Sequence, residues 1–198
     1  MMLNHPSKLD VERMYELFQS AQVRKSDIDR KVVPKRGFYD YNLTYEAFAA
    51  RLAEKETSLV LRRGNEIIAY AITFPVSQIQ AIQKSQHDVV LEEISGADPK
   101  AIYWDQLFIK DGLPIYYAGR LFESLTHILR AESVPALIAA IPQEPWQNTS
   151  STKFALTHGF KQESKVNEEE MTLGLFTKPF WNIGADAQES YKLKLTSN

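Results

Sequence analysis

The chain of 198 residues contains no cysteine. Disulfides, thiolate metal sites and a cysteine nucleophile are thereby excluded, and a reducing, cytoplasmic setting is the expectation. Its 23 Lys and Arg are scattered among 25 Asp and Glu, for a formal net charge of -2. Nucleic acid and anionic membrane both need concentrated positive charge, so neither is expected as a partner. The longest uncharged run, Ile67 to Gln83, is interrupted by Pro75 and by Ser and Gln, which argues against a membrane span. Met1 to Asp10 has no apolar core of the kind a secretory signal requires. His5, His87, His127 and His158 are far apart and have no ligand-spaced partner, so no metal is expected. The Gly-x-x-x-x-Gly-Lys-Ser/Thr of P-loop nucleotide hydrolases and the Gly-x-Ser-x-Gly elbow of serine hydrolases are both missing. There is no internal repeat and no low-complexity tract.

What remains has the balance of an ordinary globular protein, 44% hydrophobic and 24% charged, and suits one domain spanning 1–198. Ser7 with Asp10 three residues on predicts a capped helix carrying Val11, Met14, Tyr15 and Phe18 on one stripe. The charged stretch from Arg24 to Arg36 is expected to be a solvated loop. Thr44 caps a second helix bearing Tyr45, Phe48 and Leu52. Ser58–Leu61 and Ile67–Phe74 read as a hairpin about Gly64-Asn65, with Arg62 and Arg63 flanking the turn and Pro75 closing it. Residues 76–100 form an irregular or helical insertion between strands. Ala101–Ile109 alternates and is aromatic-rich, hence a strand. Tyr117, Leu121, Leu125 and Ile128 then mark a helix, and Ala136–Ile141 a buried strand ended by Pro142 and Pro145. Asn148 or Thr149 caps a last helix that stops at Gly159. A final strand pair, 161–166 and 171–176, is expected about an Asn167-Glu168 turn, followed by a polar tail over 178–198 containing Phe180, Trp181 and Tyr191. The pattern supports a mixed α/β sheet with helices on its faces.

Three segments in order carry a likeness. Trp104-Asp105-Gln106-Leu107-Phe108-Ile109 precedes a polar turn and Gly119-Arg120-Leu121-Phe122. Ala136–Ile141 follows. Asn148-Thr149-Ser150-Ser151-Thr152-Lys153-Phe154 comes last, ahead of Gly159-Phe160. This set resembles the GNAT superfamily of acetyl-CoA-dependent N-acetyltransferases, most closely over 101–160. The resemblance implies an α+β fold with a largely antiparallel mixed sheet flanked by helices, whose fourth and fifth strands splay apart. It implies acetyl-CoA as co-substrate, no metal, and an amine on a small molecule or a protein as acceptor. A homo-oligomer is compatible with it.

By the same resemblance, Leu107, Phe108 and Ile109 offer main-chain groups to the pantetheine arm, and Asn148 and Ser151 meet that arm from the other side. Tyr117, Ala118, Gly119 and Arg120 occupy the pyrophosphate-binding segment, where a helix N-terminus favours an anion. Only Gly119 keeps the family's glycine pattern there, since Pro114 and Tyr117 replace its other conserved types. Asp105 is the candidate base for an amine that must lose its proton; a carboxylate at that position could equally serve as a hydrogen-bond acceptor for a neighbouring loop. The family's usual tyrosine acid is replaced by Ala155, leaving Tyr116 as the candidate hydroxyl or a thiolate that departs unassisted. The alternative to catalysis is a non-catalytic domain of the same fold that binds CoA or a protein partner.

Overall fold

The computed structural model describes residues 1–23, 38–39, 43–53, 55–168 and 171–180. A short strand β1 (Met2–Asn4) leads into helix α1 (Lys8–Ser20). The predicted capping box is present: the Ser7 N–H and hydroxyl donate to Asp10 Oδ2 at 2.7 and 2.6 Å. Met14 and Phe18 of the predicted stripe are fully buried, each contributing about 1.5–3 kcal/mol by leaving water. Strands β2 (Gln22–Val23) and β3 (Phe38–Tyr39) make a small parallel pair of their own. In α2 (Tyr45–Ala50) the Thr44 hydroxyl accepts from Ala47 N at 3.2 Å, as the sequence predicts.

The hairpin is β4 (Leu59–Arg63) and β5 (Glu66–Pro75). Gly64 takes φ +61° in its turn, where a Cβ would be strained. Arg62 and Arg63 do more than flank that turn. Arg62 forms an ion pair with Asp10, and Arg63 Nη2 donates to the Tyr117 hydroxyl at 3.4 Å. The insertion folds into α3 (Ile79–Gln83) and α4 (Val89–Ile94), the latter capped by Asp88, whose Oδ1 accepts from Leu91 N at 3.1 Å. Then come β6 (Ile102–Ile109), α5 (Tyr116–Ala131), β7 (Ala136–Glu144), α6 (Thr149–Thr157), β8 (Lys161–Glu168) and β9 (Met171–Pro179).

Two strand ends differ from the sequence expectation. β7 continues through Pro142 to Glu144, with a register irregularity between those two residues; a proline costs least where the ladder is already irregular. β8 runs through Asn167 and Glu168, paired with Thr172 and Met171, so those two residues belong to the strand and not to the turn expected there. β1 was not foreseen, being only three residues long. Arg24–Arg36, Trp181 and Tyr191 lie outside the described residues. Among those described, no helix is long and apolar enough to cross a membrane.

The large sheet has the order β1-β4-β5-β6-β7-β9-β8. Every neighbouring pair is antiparallel except β6 and β7, which α5 joins as a parallel crossover. One face packs on α1 to α4 through Phe18, Phe48, Ile79 and Leu91. The other packs on α5 and α6 through Leu121, Leu125, Ala155 and Phe160.

Two features of β6 shape the middle of the sheet. Ile72 of β5 pairs with Gln106 and Thr73 with Trp104, so Asp105 is an extra residue, a β-bulge. The β6–β7 ladder also ends there, after Trp104↔Ala139. Beyond it, β7 keeps its partner β9 while β6 keeps β5. The two strands part, and the sheet opens.

Candidate active site

The opening is a cleft of about 590 Å³ that reaches both faces of the sheet. On the α5/α6 side its wall includes Leu107, Ile109, Ala139, Phe154 and Ala155, together with Asn148 and Ser151 at the start of α6. On the α1–α4 side it includes Leu17, Ala21, Val90, Met171 and Leu173. Asp105 lies between the two halves, at the point where the strands separate.

The bulge decides where that carboxyl group points. Strict alternation would put Asp105 on one face with both Tyr103 and Leu107. Tyr103 does belong to the α1–α4 face, but Leu107 packs on the opposite one. Asp105 and Gln106 instead turn successively toward the α1–α4 side. There Asp105 meets Arg51, and Gln106 Oε1 accepts from the Tyr70 hydroxyl at 3.2 Å. The indole N–H of Trp104 donates to the Gln106 carbonyl at 2.8 Å, bridging the bulge.

Arg51 was not singled out by the sequence. It follows α2 and is completely buried, donating to Asp88 Oδ2 at 2.8 Å and to the Ala47 carbonyl at 3.0 Å. Its Nε reaches the Asp105 carboxyl group only at 3.4 Å. Asp88 holds the stronger share of the guanidinium. The Asp105 side chain is 3% exposed, and its Oδ2 has no hydrogen-bond partner. Burial pushes its pKa up from 3.8 to about 6; Arg51 opposes the rise and the Asp88 charge adds to it. A carboxylate with a pKa near 6 stays about ten-to-one ionised at pH 7, yet is a better proton acceptor than an ordinary one. Asp88 has a sequence signal that could have been used, as an N-cap Asp before Val89-Val90-Leu91. Arg51 has none, since a charged residue beside Phe48 and Leu52 reads as a solvated position.

The other sequence-predicted residues separate into two groups. Leu107, Phe108, Ile109, Asn148 and Ser151 line the cleft with Asp105. Asn148 Oδ1 accepts from Ser151 N at 3.0 Å, so it caps α6, and its own N–H donates to the Pro142 carbonyl. Tyr116, Tyr117, Ala118, Gly119 and Arg120 belong to the first turns of α5 and are not part of that lining. Tyr116 is 58% exposed, with its ring against Tyr117 and beneath the Arg120 guanidinium. Tyr117 and Ala118 are buried against the sheet. The connection from β6 to α5 does reach the cleft, through Lys110, Asp111 and Ile115. Among the described residues, no three His, Asp or Glu side chains are grouped to hold a metal ion.

No family model matches this sequence, and no curated protein does. Solved structures do match its fold. The ribosomal-protein-S18-alanine N-acetyltransferase from Escherichia coli superposes with a TM-score of 0.63 at 12% identity, over 93% of this chain and 97% of that one. Arabidopsis thaliana Naa50, in complex with the bisubstrate analogue CoA-Ac-MVNAL, gives a TM-score of 0.60 at 11% identity, over 90% and 98%. A GNAT-family acetyltransferase from Listeria monocytogenes gives 0.57 at 12%, over 90% and 94%. At such identities the likeness concerns architecture, and this chain has the fold of the GNAT acetyltransferases, including a largely antiparallel seven-stranded sheet flanked by helices.

Proposed function

We propose that the protein transfers an acetyl group from acetyl-CoA to an amine held in the same cleft. The observation that carries this reading is the Asp105 carboxylate, poised near neutrality where β6 and β7 part. The co-substrate's pantetheine arm lies on the α5/α6 side, along the β6 edge at Leu107–Ile109, with Asn148 and Ser151 opposite. Strand β6 has no β7 ladder there, so its main chain is available to the amides of that arm. The pyrophosphate lies toward the β6–α5 connection and the start of α5 at Tyr117–Arg120, where the helix dipole favours an anion.

The acceptor enters from the α1–α4 side. Asp105 takes a proton from the ammonium group, freeing the nitrogen lone pair to attack the thioester carbonyl. A carbon–nitrogen bond forms, the carbon–sulfur bond breaks, and the second proton lost by the nitrogen passes to the departing thiolate. A main-chain N–H at the open part of β6 stabilises the oxyanion between those events. The thiolate of CoA is a weak enough base to leave without an acid, so Tyr116, which faces solvent, is given no part. A protein of this fold that binds CoA without catalysis is the second reading, favoured by Ala155 and by the outward position of Tyr116.

Thermal unfolding with acetyl-CoA, CoA and ATP tests the co-substrate, because a ligand that binds only the folded state raises the midpoint. The first two are expected to raise it and ATP is not. Asp105→Asn should then slow turnover at least a hundred-fold while leaving that rise intact. An unaltered rate and pH profile in this variant would remove Asp105 as the base, and ligand binding without transfer to any amine would favour the second reading.

A further inference from the structure

The bulge turns a second polar side chain to the same side as Asp105. Gln106 is buried and is fixed at both ends. Its main-chain carbonyl accepts from the Trp104 indole at 2.8 Å, and its side-chain Oε1 accepts from the Tyr70 hydroxyl at 3.2 Å. Tyr70 belongs to β5, is fully buried, and stacks on Phe108 of the cleft wall with ring centroids 5.0 Å apart. The other end of the Gln106 amide, Nε2, is buried and completes no hydrogen bond. Its influence falls on Asp105. Burial raises the pKa of that carboxyl group, and the Gln106 side chain is one of the donors that oppose the rise.

Two constraints select one orientation of this amide. Burial holds the Tyr70 phenol protonated, and the Asp105 charge reinforces the effect, so the phenol O–H needs an acceptor. Of the two ends of the amide, only Oε1 accepts. Turning the amide over would deprive the phenol proton of that acceptor and set Oε1 against the Asp105 carboxylate, where two acceptors repel. Among the described residues, the charged or titratable groups that act on Asp105 are Arg51 after α2, Asp88 before α4 and Tyr70 on β5. Arg51 is shared, at 2.8 Å from Asp88 and 3.4 Å from Asp105.

Resting on the reading of Asp105 as the proton acceptor in acetyl transfer, we infer that Tyr70 and Gln106 are positioning residues for it. The Tyr70 hydroxyl holds the Gln106 amide with its N–H groups toward the carboxylate, favouring the ionised form in a site whose burial favours the acid. Neither residue touches the reacting atoms, and Tyr70 acts through Gln106.

Asp105 can be titrated directly in the full chain, labelled at aspartate, by the carbon-NMR signal of its carboxyl group, which is assigned by its absence from Asp105→Asn. Tyr70→Phe keeps the ring that stacks on Phe108 and removes only the hydroxyl. With the amide free to turn over, the titration midpoint should rise by about half a pH unit, because a hydrogen bond to the charged form is what lowers it. Gln106→Met, of similar length without the amide, should raise it at least as far. Adding Tyr70→Phe to Gln106→Met should then move it no further, since residues that act through one another are non-additive. The acid limb of the kcat/KM profile for acetyl transfer should shift with the titration in Tyr70→Phe. An unmoved titration in Tyr70→Phe, or the same increment from it with and without Gln106, would overturn the inference. A titration that moves as expected in a chain that transfers no acetyl group would leave the pair as positioning residues of Asp105 and remove the acetyl-transfer reading instead.

Discussion

Asp105→Asn should make the protein more stable at neutral pH, although a hydrogen-bonded side chain in an ion cluster is being altered. In the folded state the carboxyl group has its pKa raised from 3.8 to about 6, chiefly by burial. At about 1.4 kcal/mol per pH unit, this corresponds to a penalty of up to about 3 kcal/mol against folding whenever the group is ionised. The sign follows from which state binds the proton more readily. A raised folded pKa means that the native state favours the protonated acid. The penalty is thus absent below pH 4, grows between pH 4 and 6, and is complete above about pH 6.5. Asparagine resembles the protonated form and escapes it.

The opposing risk is that Arg51 becomes an unpaired buried cation, which would be costly. The geometry argues otherwise, because Arg51 keeps Asp88 at 2.8 Å and the Ala47 carbonyl at 3.0 Å. Asp105 contributes only the contact at 3.4 Å. For a domain of this size, a gain of about 3 kcal/mol would raise the unfolding midpoint by roughly 6–12 °C. Urea denaturation of both proteins at pH 7.5, 6 and 4.5 measures the difference. The advantage of the variant should shrink steadily toward the acid end. A loss of stability at pH 7.5, or a gain independent of pH, would refute the reasoning and show the Arg51–Asp105 pair to be net stabilising.

Two further perturbations test other parts of the structure. Asp10 behaves oppositely to Asp105: burial pushes its pKa up, but bonds from Arg62 and Ser7 outweigh this and hold it below 3.8. Asp10→Asn should therefore cost about 1–2 kcal/mol at pH 7 in urea unfolding, a difference lost as pH falls through the ordinary carboxylate range and below. Gly119 lies within α5, and a Cβ there would have nothing within 4 Å. Gly119→Ala should stabilise the fold by about 0.5–1 kcal/mol, whereas Gly119→Trp should shrink the midpoint rise given by acetyl-CoA. An undiminished rise would detach the first turns of α5 from the pyrophosphate.

The elements most legible in the sequence are those whose signal is local. Ser7 with Asp10, Thr44, and Asn148 before an apolar position each announce a helix start, and each cap is made where its residues stand. The hairpin at Gly64 is local for the same reason. Strand ends were less legible, because Pro142 and Asn167 are read as breakers whereas β9 extends both of their strands by pairing. Arg51 was illegible. The carboxylates that face this buried arginine, Asp88 and Asp105, are distant in sequence, and no window of adjacent residues contains all three.

The bulge at Asp105 explains why the candidate site could be named from sequence while its geometry could not. Tyr103 to Ile109 places large apolar side chains on both faces of the sheet, so inserting one residue leaves the composition of neither face obviously wrong. Yet that residue has two physical consequences. It sends Asp105 and Gln106 to the same side, giving the carboxylate its contact with Arg51. A bulge also bends its strand and increases the local twist, and the β6–β7 ladder stops at the residue immediately before it. The same local irregularity that buries the carboxylate thus accompanies the parting of the strands that opens the cleft. Restoring regular pairing, by deleting Asp105 and not merely neutralising it, should therefore close the cleft as well as remove the proposed base, and should abolish the acetyl-CoA midpoint shift that Asp105→Asn is expected to preserve.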